Sequence, residues 1–402
     1  MTMRKKVAVF ALLLLAPLIF TQFEAAAAAL EPDGEKVLRA MTLEEKVGQL
    51  FIIRPDALDV TLTSDEINDS KAAGVKGLTL DMKNTLRQYP PGGFVLFRKN
   101  ISGPEQLKRF TADLKAACSL APLMAIDEEG GQIARIANHK GFNVPKFESM
   151  EAIGNTGSPQ KAREAASAIG SYLRDYGFNF DFAPVADVNT NPENIVIGNR
   201  AFGDDPWLVS KMVGAYLDGL HKHGVAGSLK HFPGHGDTKD DTHSGAVTVH
   251  KTWDELLKAE LIPFRENFAR ADSVMTAHIS LPNVSHDGLP ASFSRELITE
   301  KLRNELGYDG IVISDALMMK AVTDSYTSAL AAVLAFEAGN DILLMPWDYR
   351  EAFDGVLQAV REGRISSSRL DESVRRILKL KVAYLKGVSL NDARKLTKGS
   401  PR

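Results

Sequence analysis

The 402-residue sequence predicts a single-domain α/β protein, a (β/α)8 TIM barrel, on three observations. Eight short apolar runs punctuate the chain, amphipathic segments of helical period separate most of them, and most of the runs close on a polar residue. Alternation of this kind marks a parallel sheet wrapped by helices. The polar closures matter because the C-terminal strand ends of a closed barrel share one face, and that face is where active sites are built.

In order, "MTLEEKVGQLF" opens the domain, with Thr42 and Glu45 spaced as a helix capping box ahead of Val47 and Leu50. The expected strands are residues 50–54, 93–97, 122–127, 180–188, 226–232, 273–279, 310–315 and 341–346. Helical patterns fall at 158–177, 205–224, 294–307 and 327–339. Near the end, Ile365, Leu370, Val374, Ile377 and Leu378 recur at near-helical spacing and predict one packing helix before a polar tail. The stretch from Pro55 to Pro91 breaks the rhythm: it either holds a helix and turns or displaces or reverses an early strand.

Residues 1–29 stand apart. A basic start, an apolar run from Val7 to Phe20 and the small residues of "EAAAAAL" read as a secretory signal peptide, the run being short for a membrane span. The expected organisation is therefore a signal peptide at 1–29, a barrel at 30–390 and a polar tail at 391–402, in a secreted or periplasmic protein without a span after processing. The whole chain carries a net charge of −3, which becomes about −5 without the signal segment, so no nucleic-acid footprint is expected. Cys118 is the only cysteine, which excludes an intramolecular disulfide and a thiolate metal cluster. Its apolar setting predicts a buried structural thiol.

Arg54, Arg98 with Lys99, Asp127, Asp187, Lys230 with His231, His278 and Asp315 all stand where a predicted strand ends. Asp315 in "GIVISDALMM" would be held rigidly at the barrel mouth, as a nucleophile or a charge stabiliser must be, although a strand-ending aspartate also serves as a helix cap. The stretch "KHFPGHGDTKDDTH" (230–243) is richer. Pro233, Gly234 and Gly236 forbid a helix, so His231 and His235 are no i, i+4 zinc pair. A loop-borne metal site and a plain solvated loop both stay open. So does a third reading, in which Asp241 hydrogen-bonds one ring nitrogen of His243 and raises the basicity of the other.

These two stretches, with "MTLEEKVGQL", "GGFVLFRKNI", "AIDEEGGQIARI", "FNFDFAPVADV" and "VIGNRAFGDDP", resemble glycoside hydrolase family 3, and within it the NagZ-type β-N-acetylglucosaminidases. The matches run in order from about Met41 to Val382. The resemblance implies that Asp315 is the nucleophile of a covalent glycosyl-enzyme intermediate and that His243, tuned by Asp241, is the acid/base. It implies a sugar grip made by Asp127, Arg135, Arg200, Lys230 and His231, with no metal and no cofactor. The chain departs from many relatives in having Glu128 before Glu129, and Thr242 between the dyad members. A histidine acid/base departs from the usual pair of carboxyl groups about 5 Å apart. It avoids a second permanent negative charge beside the nucleophile, and the loop glycines are expected to let it approach while the grip stays fixed.

The expected activity is exo-hydrolysis of terminal β-linked N-acetylglucosamine from muropeptides or chitooligosaccharides, by a monomer without a nucleic-acid partner. A β-glucosidase of the same family is the first rival; such relatives commonly draw a glutamate acid/base from a further domain. A phosphorylase is the second, since a histidine leaves room for an anionic phosphate acceptor. An exported sugar-binding protein would bind without turnover.

Overall fold

The structure is a computed structural model, and it describes residues 34–239, 245 and 247–385. The expected signal segment at 1–29, the residues Asp241 and His243, and the expected tail at 391–402 lie outside the described residues.

Eight parallel strands form one sheet: β1 (Phe51–Ile53), β2 (Gly93–Val95), β3 (Leu123–Ile126), β4 (Phe180–Asp181), β5 (Ala226–Phe232), β6 (Ser273–Thr276), β7 (Ile311–Ser314) and β8 (Leu343–Leu344). Neighbours in sequence are neighbours in space, and β1 pairs with both β2 and β8. An isolated parallel bridge between Ile313 and Ile342 joins β7 to β8 and closes the barrel. All eight expected strands are present, most of them shorter than the apolar runs. β4 breaks off before Pro184 and β8 before Pro346, since proline has no N–H to offer the ladder.

The outer layer follows the amphipathic segments. Helix α1 (Leu43–Gln49) begins at the expected capping box, with the Glu45 N–H donating to Thr42 Oγ1 at 3.2 Å and the Thr42 N–H to Glu45 Oε2 at 2.8 Å. The segment after β1 holds helices α2 (Ser64–Asn68) and α3 (Leu80–Gln88), and α4 (Pro104–Ala117) follows β2. α5 (Pro159–Asp175), α6 (Pro206–His221), α7 (Trp253–Lys258) and α8 (Ile262–Arg265) cover the middle strands. A π-helix at Glu296–Glu305 replaces the expected α-helix there, and α9 (Ser328–Ala338), α10 (Tyr349–Arg361) and α11 (Ser367–Tyr384) complete the ring. No helix among the described residues is long and apolar enough to cross a membrane.

The Pro55–Pro91 stretch neither displaces nor reverses a strand, because β1 stays parallel and in register on both sides. Strand-end cations hold the stretch in place: Lys99 Nζ donates to the carbonyls of Glu66, Ile67 and Asp69 at 3.0, 2.9 and 3.0 Å. Arg54 Nη1 donates to Ile67 O at 2.9 Å, and its guanidinium lies 4.6 Å from the Phe97 ring centroid. Arg54 and Lys99 thus build the rim of the mouth.

On the helix side, Cys118 ends α4 partly buried, and desolvation pushes its thiol pKa up to about 12, which keeps it a thiol. Lys381 of α11 is buried and donates to Gln49 Oε1 at 2.5 Å; burial lowers its pKa to about 7.

Candidate active site

The C-terminal ends of β3 and β5 carry a cluster of opposite charges. Successive side chains of an extended chain point to opposite faces, so Asp127 and Glu129 share one face and Glu128 takes the other. Lys230 Nζ lies 3.3 Å from Asp127 Oδ1 and 2.5 Å from Glu129 Oε1. Arg200 grips Glu129 with two parallel bonds, Nε to Oε2 at 2.9 Å and Nη2 to Oε1 at 2.7 Å. That is the bidentate arrangement a guanidinium favours. Arg135 Nη2 completes the group at 3.1 Å from Asp127 Oδ2, and its guanidinium lies 5.1 Å from the Phe97 ring centroid.

Burial opposes charge in Asp127, Glu129, Arg200 and Lys230, and their pairing overrides it. Arg200 and Lys230 hold Glu129 far below the usual carboxylate range, while Glu129 and Asp127 raise Lys230. Asp127 is likewise lowered by Lys230 and Arg135. Glu128, on the opposite face, accepts from the Ile136 and Ala137 N–H groups at 2.9 and 2.8 Å and from Tyr172 Oη at 2.9 Å. It thereby ties back the antiparallel turn Glu128–Gly130 to Ile133–Ala134 that delivers Arg135 to Asp127.

His231 is oriented by Asp187 from the segment after β4. The ring Nδ1 lies 2.7 Å from Asp187 Oδ2, and the His231 and His235 N–H groups donate to Asp187 Oδ1 at 3.1 and 2.7 Å. Desolvation would raise Asp187, but His231 and these hydrogen bonds hold it below its ordinary value. A buried acceptor of this kind keeps the proton on Nδ1 and leaves Nε2 for a ligand.

Asp315 follows β7, four strands around the cylinder from β3 and two from β5, so it stands at the same mouth as the cluster. Its carboxylate is half-buried, and Oδ1 accepts from the Ala316 N–H at 2.7 Å. The Ala316 carbonyl accepts from His278 Nε2 at 3.0 Å, and His278 Nδ1 lies 2.6 Å from Ser292 Oγ, so the turn after Asp315 is braced. The Asp315 charge is felt at His235, though burial dominates there and lowers that ring's pKa.

Of the residues expected at the site, Asp127, Arg135, Arg200 and Lys230 are joined in one charged cluster through Glu129, His231 follows Lys230 at the end of β5, and Asp315 stands at the end of β7. Asp241 and His243 lie outside the described residues. Glu129, Asp187 and His278 complete the arrangement; of these, Glu129 was visible in the sequence only as a departure and His278 only as a strand end. Gly234 and Gly236 serve close packing rather than looseness: a Cβ on Gly236 would lie 1.8 Å from Val188 O, and one on Gly234, at φ 126°, 2.7 Å from Glu260 Cβ. Among the described residues no group of three or more His, Cys, Asp or Glu side chains is placed to hold a metal ion.

Residues 42–380 match the glycosyl hydrolase family 3 N-terminal domain. A protein named beta-hexosaminidase A from Pseudoalteromonas piscicida is 35% identical over 338 residues, which cover 77% of this chain and 56% of the relative. A beta-hexosaminidase of Stenotrophomonas maltophilia is 35% identical over 306 residues, 74% of this chain and 88% of the relative. Among solved structures, a family 3 beta-N-acetylglucosaminidase from Paenibacillus sp. superposes with a TM-score of 0.75 at 38% identity, covering 86% of this chain and 63% of that one. The chain therefore spans just over half of the first relative's length and most of the second's. Taken with a closed parallel barrel and a charged cluster at its strand ends, these matches establish that the chain belongs to glycosyl hydrolase family 3.

Proposed function

We propose that this protein is an exported, retaining exo-β-N-acetylglucosaminidase that removes terminal β-linked N-acetylglucosamine from muropeptides or chitooligosaccharides. One observation carries the reading: the half-buried Asp315 carboxylate ends a strand at the same barrel mouth as the paired cluster of Asp127, Glu129, Arg135, Arg200 and Lys230, with His231 next in sequence to Lys230. The printed names of the similar proteins, hexosaminidases and a β-N-acetylglucosaminidase, point to the same sugar.

In the proposed reaction the cluster and His231 hold the sugar hydroxyls and fix the ring over Asp315. Asp315 attacks the anomeric carbon and forms a glycosyl ester as the glycosidic C–O bond breaks. His243, polarised by Asp241, gives its proton to the departing oxygen. It then takes a proton from the water that cleaves the ester, which returns both groups to their starting state. The signal peptide at 1–29 is the basis for proposing export, to the periplasm or beyond, and the protein is proposed to act as a monomer.

The experiment that tests the reading compares the purified protein on GlcNAc-anhydroMurNAc, chitobiose and aryl glucosides, with and without phosphate. Release of free N-acetylglucosamine in both buffers, with slow turnover of aryl glucosides, is the expected result. N-acetylglucosamine 1-phosphate as product would make it a phosphorylase, and binding without turnover would make it a sugar-binding protein.

A further inference from the structure

Two guanidinium groups share the Phe97 ring: Arg54 Cζ lies 4.6 Å and Arg135 Cζ 5.1 Å from its centroid. Gly93 and Val95 of β2 pair with Leu123 and Ala125 of β3, and Phe97 follows in extended backbone, which sets it beside Asp127 on the face that carries the charged cluster. The base of its side chain is fixed. The Phe97 N–H donates to Asn100 Oδ1 at 3.1 Å and its carbonyl accepts from the Asn100 N–H at 2.8 Å. Asn100 is itself fully buried and donates through Nδ2 to Asp56 Oδ2 at 2.7 Å and to Val75 O at 3.0 Å.

Arg135 depends on such a support. Among the described residues its guanidinium makes one hydrogen bond, from Nη2 to Asp127 Oδ2 at 3.1 Å, and its buried Nε has no acceptor. A single bond to one carboxylate oxygen leaves a planar group free to turn about that bond, and an aromatic face against it removes the freedom. Arg54 holds the same ring from a rigid base, since it is buried and its Nη1 donates to Ile67 O at 2.9 Å. The charges of Arg54 and Arg135 repel, and the electron-rich face of Phe97 is an attractive contact that both share.

We propose that Phe97 is a positioning residue for sugar binding: its ring holds the Arg135 guanidinium in the orientation in which it meets Asp127 and the sugar. The proposal rests on the reading of Arg135 as part of the sugar grip, and its test separates the two. Loss of an orienting contact to a group that binds the ground state and the transition state alike raises KM and leaves kcat in place. A ring that only filled space would act the same whether or not Arg135 stood over it.

The test measures kcat and KM on methylumbelliferyl N-acetylglucosaminide for Phe97→Leu, Phe97→Tyr, Arg135→Gln and the double variant of Phe97→Leu with Arg135→Gln, with unfolding temperatures recorded alongside. Phe97→Leu is expected to raise KM about 3–30-fold with kcat within about twofold of wild type, and Phe97→Tyr, which keeps the ring, to stay within about twofold in both. In the Arg135→Gln background Phe97→Leu is expected to change KM by less than about twofold. If Phe97→Leu folds poorly, a trifluorinated phenylalanine at position 97 takes its place: it keeps the shape of the ring and depletes its face of electron density, and the same direction of change in KM is expected. An unchanged KM, a loss carried by kcat instead, a loss in Phe97→Tyr as large as in Phe97→Leu, or an equal loss with and without Arg135 overturns the proposal. If Arg135→Gln raises KM and Phe97→Leu does not, only the positioning role fails; if Arg135→Gln itself leaves KM unchanged, Arg135 is no part of the sugar grip and this proposal falls with that reading.

Discussion

Glu129 Oε1 lies 2.5 Å from Lys230 Nζ, deep in the barrel mouth, and the same carboxylate is held by Nε and Nη2 of Arg200. One buried anion therefore orients two cations that flank the proposed sugar site. Replacing it with glutamine keeps the shape and removes the charge, and breaking a buried pair costs about 3–5 kcal/mol. Glu129→Gln is expected to lower kcat/KM on an aryl N-acetylglucosaminide by on the order of 10²-fold, with KM carrying most of the change, and to lower the unfolding temperature. Because its folded pKa is depressed, the stability it contributes is present above the unfolded value near 4.5 and disappears only as the pH falls far below it. Acid titration of the two proteins' unfolding free energies checks the sign.

Asp187→Asn tests the orientation of His231. The substitution keeps an oxygen for one N–H but adds a donor that competes for Nδ1, and a hydrogen bond to a charged group is worth about 1.5–3 kcal/mol. A rise in KM of about 10–100-fold is expected, with the fold intact by circular dichroism. Steady-state kinetics showing an unchanged KM would detach His231 from substrate binding.

His243→Ala is expected to lose on the order of 10²–10⁴-fold on unactivated disaccharides and much less on substrates with activated leaving groups. Normal activity on chitobiose would remove His243 from the mechanism. Chelation with EDTA is expected to leave turnover unchanged, since no step above passes through a metal.

Lys381 gives a prediction about stability rather than catalysis. Its pKa is lowered from 10.5 to about 7 by burial, so between those values the unfolded chain binds the extra proton and folding stability rises with pH. Lys381→Met removes that dependence. The stability of this variant relative to wild type is expected to fall by on the order of 2–4 kcal/mol as the pH is raised from 7 to 10, read from urea unfolding at each pH.

The barrel was legible because each strand is a short apolar run bounded by turn residues, and burial on both faces of a parallel sheet demands that composition. "AGSLKHF" became β5 without a residue's change. The π-helix at Glu296–Glu305 was not legible, since its apolar spacing also satisfies an α-helical period. Asp315, Asp127 and Lys230 could be read as strand ends, whereas Arg54 and Lys99, which look the same in sequence, turned out to hold the segment after β1. What separates the two groups is which carbonyls or carboxylates fold back toward them, and that is a long-range property. Glu129 escaped notice for the same reason: its partners stand 71 and 101 residues away. The clue present in the sequence was period-two alternation, which places it on the face of Asp127.

The central claim is that Asp315 is the nucleophile of a retaining reaction, and trapping the intermediate tests it most directly. The protein is incubated with a fluorinated N-acetylglucosaminyl donor whose ester turns over slowly, digested, and the labelled peptide located by tandem mass spectrometry. A single sugar attached to the Asp315 side chain is expected, and no label in Asp315→Asn. A sugar ester on another carboxylate, or an unlabelled protein whose product forms with inverted anomeric configuration, would contradict it.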